Sequence, residues 1–263
     1  MIGVEIKKLS KKYNINSRKI TALKNINLAV KKNSFTTIVG RSGCGKTTLL
    51  RLICGLETAD SGLIKLNFYN RENGDLNCSF NCSNSSSENI DLIKERVSMV
   101  FQEPRLLPWL NVEENIAFSI QKKKNGESQK NSVDKYLKML GLEKFRHAYP
   151  AQISGGMAQR VALVRTLAYE ADLILMDEPL GALDAFNRRQ LQKELINIYD
   201  RFNKTIIFVT HDVEEAIYLG QEVIIMDKGE IIDKVDVDIP YSRKHNSQKM
   251  FSLKEEILNR LTA

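Results

Sequence analysis

The sequence predicts an α/β protein with a mixed sheet, an N-terminal antiparallel β subdomain and a helical subdomain set into the chain. Three observations predict it. The opening segments "GVEIKKL", "INLAV" and "FTTIV" have the alternating or β-branched character of strands. Further on, "DLILM" and "TIIFV" are short apolar runs of the kind found in sheets covered on both faces. Between these groups, residues from about Val112 to Leu140, and again from Gly156, carry a helical pattern.

Taken in order, "FTTIV" runs directly into "GRSGCGKTTLLRLICGL", a glycine loop followed by a helical pattern. A strand, "GLIKLNF", comes next. The segment "YNRENGDLNCSFNCSNSSSENID" is dense in Asn, Ser and Gly, and its few apolar residues predict a long surface loop or a disordered insertion. "VSMVF" resumes as a strand, and the helical stretch that follows is broken by the polar "KKKNGESQK". The helix from Gly156 leads to the "DLILM" strand and then to a long helix from about Asp184 to Arg201. After "TIIFV", the run "EVIIMDKGEIIDKV" reads as a hairpin with a glycine-containing turn. "SLKEEILNRL" closes as an amphipathic helix whose apolar side, Leu253, Ile257, Leu258 and Leu261, is expected to pack on its own domain.

Composition bounds the function. The chain has 263 residues, 43% hydrophobic and 27% charged, enough to bury a core. No apolar run approaches the ~18–20 residues that span a bilayer. The first residues, "MIGVEIKKLSKKY", lack the apolar centre of a secretory signal, so a cytoplasmic protein is expected unless a partner holds it at a membrane. The net charge is +7, but the lysines are scattered and aromatic residues do not interleave with them, so nucleic acid is not an expected partner. Cys44, Cys54, Cys78 and Cys82 make no C-x-x-C pair and read as free thiols.

The chemistry lies in three places. Residues Gly40, Arg41, Ser42, Gly43, Cys44, Gly45, Lys46 and Thr47 match G-x-x-x-x-G-K-[ST] in full, after a strand and before a helix. Glycines let the backbone curl so that its N–H groups point at phosphate oxygens, and the helix N-terminus adds a positive dipole end. Lys46 is placed to reach the β- and γ-phosphates, and the Thr47 hydroxyl to ligate Mg²⁺. The core is therefore predicted to be that of a P-loop NTPase. In "LILMDEP" a buried strand delivers Asp177 and Glu178 to its C-terminal tip, where open α/β sheets bind ligands. Asp177 would hold Mg²⁺ and Glu178 would polarise the attacking water; a helix-capping acid pair before Pro179 is the alternative. His211 follows the strand "TIIFV" and would orient the water or sense the γ-phosphate, unless it is simply structural.

These motifs, with Gln102 in "VFQEP", "ISGGM" at Ile153, and "GALD" ending at Asp184, occur in the order seen in ATP-binding cassette ATPases, which the chain resembles over nearly its whole length. The resemblance implies that Tyr13 stacks on adenine, that Thr48 joins the loop in binding ATP, and that Gln102 touches both Mg²⁺ and a docking surface. It also implies that Ser154, Gly155, Gly156 and Asp184 act in trans. They would meet the nucleotide of a second copy in a head-to-tail dimer, through the free N–H groups of a helix start. Met157 replaces the commoner glutamine of that signature. The expected division is a single domain, 1–263: a nucleotide-binding core with the β subdomain (1–101 and 170–235), the polar insertion (67–94), a helical signature subdomain (103–169) and a tail with a helix (236–263).

A finer resemblance lies in "MVFQEPRLLPWLNVEENIAF" and "YSRKHNSQKMFSLKEEIL". Both look like the importer branch that serves nitrate, sulfonates, taurine and related anions, or thiamine-precursor pyrimidines. It implies two membrane permease subunits and, indirectly, a solute-binding protein as partners, and a peripheral place on the cytoplasmic face of the membrane. In the same stretch Leu106, Leu107, Trp109 and Leu110 crowd around Pro104 and Pro108, which oppose a helix. Some of them should be exposed and serve as a partner site. Cys44, among loop amides, is a candidate reactive thiol or a tolerated small residue. Two other classes stay open: a soluble cassette ATPase acting on nucleic acid or ribosomes, and a non-hydrolysing ATP-binding module.

Overall fold

A computed structural model of the chain describes residues 2–16, 18–70, 74–81, 87–120, 127–181, 183–241, 243 and 247–262. The chain opens with β1 (Ile2–Ile15), β2 (Arg18–Lys31) and β3 (Phe35–Gly40), followed by α1 (Lys46–Ile53). Then come β4 (Ser61–Asn70), β5 (Gly74–Asn81), α2 (Ser87–Arg96) and β6 (Val97–Val100). The helical part holds α3 (Val112–Ile120), α4 (Glu127–Met139) and α5 (Gly155–Ala168). The second half of the core is β7 (Leu173–Asp177), α6 (Ala185–Phe202), β8 (Thr205–Thr210), α7 (Val213–Leu219), β9 (Glu222–Asp227) and β10 (Glu230–Asp236), closed by α8 (Gln248–Thr262).

These strands form two sheets. One is antiparallel, in the order β2-β1-β4-β5. The other is mixed, in the order β10-β9-β3-β8-β7-β6, with only the β9–β10 hairpin antiparallel. The apolar runs follow from the packing. Every residue of β3, β7 and β8 is buried. Alternate side chains of each strand enter different cores. Val39, Ile174, Met176, Ile206 and Phe208 join the helical subdomain and α6–α8, whereas Ile38, Leu175, Ile207 and Val209 join α1 and the antiparallel sheet. A strand apolar on both faces has no polar alternation to show.

The helix expected from Gly156 starts at Gly155, where the Ser154 hydroxyl caps it by accepting from Met157 N at 3.3 Å. In α8, Met250 and Ile257 are buried, and Leu253, Leu258 and Leu261 pack on the main core, so its apolar side is covered by its own domain. No described helix is long and apolar enough to cross a membrane.

The insertion is the main correction. The polar stretch expected to be a loop or disordered holds, in its described residues, β5 and α2. From Gly74 to Asn81, β5 pairs antiparallel with β4, with Phe68 opposite Leu76 and Ile64 opposite Phe80. Ile93 of α2 is buried in the core that includes α1 and the antiparallel sheet. The physical reason is visible in "DLNCSFN": Leu76, Cys78 and Phe80 recur with period two, which is enough for an edge strand despite the Asn and Ser between them. Cys82 and the Lys122–Lys124 cluster lie outside the described residues.

Candidate nucleotide site

Parallel pairing sets Val39 beside Thr210 and Val209 beside Asp177, so the C-terminal tips of β3, β8 and β7 lie side by side. The loop after β3 turns through Gly43 and Gly45, both at positive φ. A Cβ on Gly45, at φ +102°, would stand 2.4 Å from the carbonyl oxygen of Ala22, so only glycine fits there. Lys46 is 5% exposed; its ammonium donates to the carbonyls of Gly40 at 2.8 Å and Arg41 at 3.1 Å. The loop thus folds around its own cation. Arg41, Ser42 and Gly43 stay exposed, while Thr47 and Thr48 are half-buried at the start of α1.

Thr47 Oγ1 donates to Asp177 Oδ1 at 2.9 Å, which links the loop to the tip of β7 across the width of β8. Asp177 is buried, and burial pushes its carboxyl above the usual range, partly offset by the Thr47 bond. Its neighbour Glu178 stands at φ 43°, a left-handed conformation that a residue with a Cβ holds only when its surroundings force it. Glu178 N donates to Val209 O at 3.0 Å, and this anchors the strained turn. The result aims the two carboxylates differently: Asp177 toward Thr47, Glu178 toward Lys46, 3.8 Å away, and toward His211. His211 Nδ1 lies 2.9 Å from Glu178 Oε2.

The remaining expected residues surround this centre. Tyr13, at the far end of β1, hydrogen-bonds Glu57 and Thr48, and burial raises its phenol pKa. It therefore stands beside the first turn of α1. Gln102 follows β6, is exposed, and its amide lies by Gly181 in the turn after Glu178. Ser154 and Gly155 are exposed at the start of α5. Asp184 caps α6, accepting from Phe186 N and Asn187 N, both at 3.0 Å; the Asn187 N–H holds its carboxyl below the usual range. Gly156 approaches Leu183 and Asn187, so the two helix starts adjoin. Among the described residues, no hydrogen bond or ion pair joins Ser154, Gly155, Gly156 or Asp184 to the phosphate loop or the Glu178–His211 pair. Met157 turns its side chain against the main core.

Cys44 is buried, and burial raises its thiol pKa against the pull of Lys46. That favours the tolerated-small-residue reading over the reactive thiol, because desolvation outweighs the loop's positive field.

Sequence reasoning missed the supporting roles of several residues, including Arg165, which reads in the sequence only as a helix-surface arginine that could tune the interface. Asn115, fully buried in α3, holds the loop that carries Trp109; its amide donates to Leu107 O, Leu110 O and Asn111 O. Arg165 reaches Arg105 O at 3.0 Å and burial lowers its pKa. Glu215, buried after His211, accepts from Thr210 and Gln192. An Asn and a Glu on helices that read as amphipathic give no signal unless their facing is known.

A phosphate-loop fold with two carboxylates and a histidine at neighbouring strand tips is an arrangement that can hold a polyphosphate and place a water at its end, as in nucleotide-hydrolysing P-loop proteins. The chain belongs to the ATP-binding cassette family and is an ATPase of that family: the family model described as "ABC transporter" matches residues 23–181. It is 38% identical over 257 residues to the aliphatic sulfonates import ATP-binding protein SsuB of a Bacillus cereus strain, covering 97% of this chain and 94% of that protein. It is 42% identical over 239 residues to SsuB 2 of Agrobacterium fabrum, covering 91% and 83%. Among solved structures, the post-hydrolysis dimer of the ATP-binding cassette MJ0796, bound to ADP and Pi, superposes with a TM-score of 0.76 at 30% identity, covering 90% of this chain and all of that one.

Proposed function

We propose that this chain powers an importer of a small organic anion of the sulfonate class, acting as a pair with a second copy of itself and docked on two membrane permease subunits. The observation that carries it is the segment after Gln102, where Trp109 is 69% exposed on a loop whose backbone is held from beneath by Asn115. An exposed tryptophan on a rigid mount is a docking feature. The sulfonate class rests on what the SsuB relatives are named for. In this reading the protein sits peripherally on the cytoplasmic membrane face, and a solute-binding protein is an indirect partner that delivers solute to the permease rather than to this chain.

In this reading each side chain has one task. Loop amides and Lys46 hold the β- and γ-phosphates. Tyr13 covers the adenine. Thr47 and Asp177 fit Mg²⁺, a hard cation that takes few protein oxygens and completes its shell with water and phosphate. Gln102 adds a further oxygen at that shell. When bound with ATP, Mg²⁺ supplies positive charge against the phosphate oxygens. Glu178 takes a proton from the attacking water, and His211, bonded to it, orients that carboxylate and the water. The free amides at Ser154, Gly155 and Gly156 grip the γ-phosphate held by the other copy, with Asp184 beside them at the interface.

Reconstitution of the chain with its membrane subunits in vesicles tests the reading. ATP-dependent uptake of a radiolabelled alkanesulfonate is expected. Recovery of the chain with RNA or ribosomes, and not with membrane protein, would overturn it.

A further inference from the structure

His211 is more than half exposed, and one side-chain bond, to Glu178, holds its ring. Its backbone is fixed more firmly. The Thr210 hydroxyl accepts from Asp212 N at 3.0 Å and donates to Glu215 Oε2 at 2.6 Å. Glu215 is 5% exposed, and its other oxygen accepts from Gln192 Nε2 at 3.1 Å. Gln192 is buried in α6, the helix that Asp184 caps. A cavity of about 20 Å³, room for one water, is lined by Glu178, Arg188, Thr210, His211, Asp212 and Glu215. Arg188, from α6, donates to the carbonyl of Leu183, next to Asp184. One buried carboxylate therefore joins three things: the turn bearing His211, the wall of the Glu178 cavity, and the helix that Asp184 caps.

We propose that Glu215 is a positioning residue for hydrolysis: through Thr210 and Gln192 it locks the His211 turn to the Asp184 helix, so that His211 meets Glu178 only when that helix is seated. The proposal rests on Glu178 and His211 as the hydrolytic pair. A rigid helix transmits a shift at its N-terminus to Gln192, two turns along, with little loss. Burying a carboxylate without a bonded cation costs stability that apolar packing would not. Its two hydrogen bonds fix it in one orientation, which a methyl group could not do for Thr210.

The chemistry of Gln192 supplies a sharp control. Its Oε1 is buried and has no hydrogen-bond partner among the described residues. In Glu215→Gln the introduced carbonyl accepts from Thr210, and the introduced amide N–H meets Gln192 Oε1 after a half-turn of the Gln192 amide. Both links survive without the charge.

The test compares steady-state ATPase and nucleotide affinity for wild type, Glu215→Gln, Glu215→Ala, Thr210→Ser and Thr210→Val in the full chain. Glu215→Ala and Thr210→Val should lose on the order of 10- to 100-fold in kcat, with KM and the ATP dissociation constant within about twofold of wild type. Glu215→Gln and Thr210→Ser should recover most of kcat. Should Glu215→Ala fail to fold, the comparison of Thr210→Val, which keeps the shape and loses the hydroxyl, with Thr210→Ser, which keeps the hydroxyl, carries the test alone. Wild-type kcat in Thr210→Val overturns the proposal, as does equal loss in the conservative and disruptive variants, or a change confined to KM. A wild-type chain without ATPase activity would instead remove the hydrolytic assignment on which the proposal rests.

Discussion

Asn115 and Leu107 bond to each other in both directions: Leu107 N donates to Asn115 Oδ1 at 2.9 Å, and Asn115 Nδ2 donates to Leu107 O at 3.1 Å. Closing the loop in this way satisfies a backbone that Pro104 and Pro108 keep out of helix. It leaves Trp109 outside, although Leu106 of the same loop packs on the core. Trp109→Ala should therefore leave the isolated subunit folded and able to bind ATP, while costing about 2 kcal/mol or more in permease binding. A detergent pull-down measures this; wild-type recovery of permease by the folded variant contradicts it.

Ile93 fastens α2 to the core, so the insertion contributes to stability where its composition suggested none. Ile93→Ala should destabilise by about 2–5 kcal/mol, the range for a buried large-to-small change. Urea unfolding followed by circular dichroism reads it. A midpoint matching wild type would mean that α2 does not pack as described. Replacing Tyr69 to Asn89 by a short Gly-Ser link, which an unstructured insertion would tolerate, should lower the melting temperature because it removes β5.

Cys44 should resist modification. Burial raises its pKa, so the thiolate fraction at neutral pH falls below that of an ordinary cysteine, and labelling should increase only as pH becomes strongly alkaline. Iodoacetamide at neutral pH, followed by intact mass and tryptic mapping, should leave Cys44 unmodified in the folded chain with or without MgATP. Fast labelling that MgATP blocks would restore the reactive-thiol reading.

Most of the candidate site's placement was legible because strand tips carry motifs in fixed order. Gly45, Asp177 and His211 each follow or end an apolar run, and parallel pairing then brings them together. The site's supports were not legible. Glu215 looks like an ordinary surface glutamate in "HDVEEA", and only the packing of α6 on α7 buries it. The strain at Glu178 was equally hidden, since nothing in "MDEP" announces a left-handed carboxylate. β5 was missed for the opposite reason: Asn and Ser composition outweighed a three-residue alternation that was present.

In the proposed mechanism Glu178, bonded to His211 and facing Lys46, activates the water that attacks ATP. Glu178→Gln keeps the shape of the turn and removes the base. Phosphate release by this variant should fall by roughly 10²–10⁴-fold, with ATP affinity retained and, with ATP present, a dimer that persists in size-exclusion chromatography with multi-angle light scattering. Hydrolysis near the wild-type rate would contradict the account.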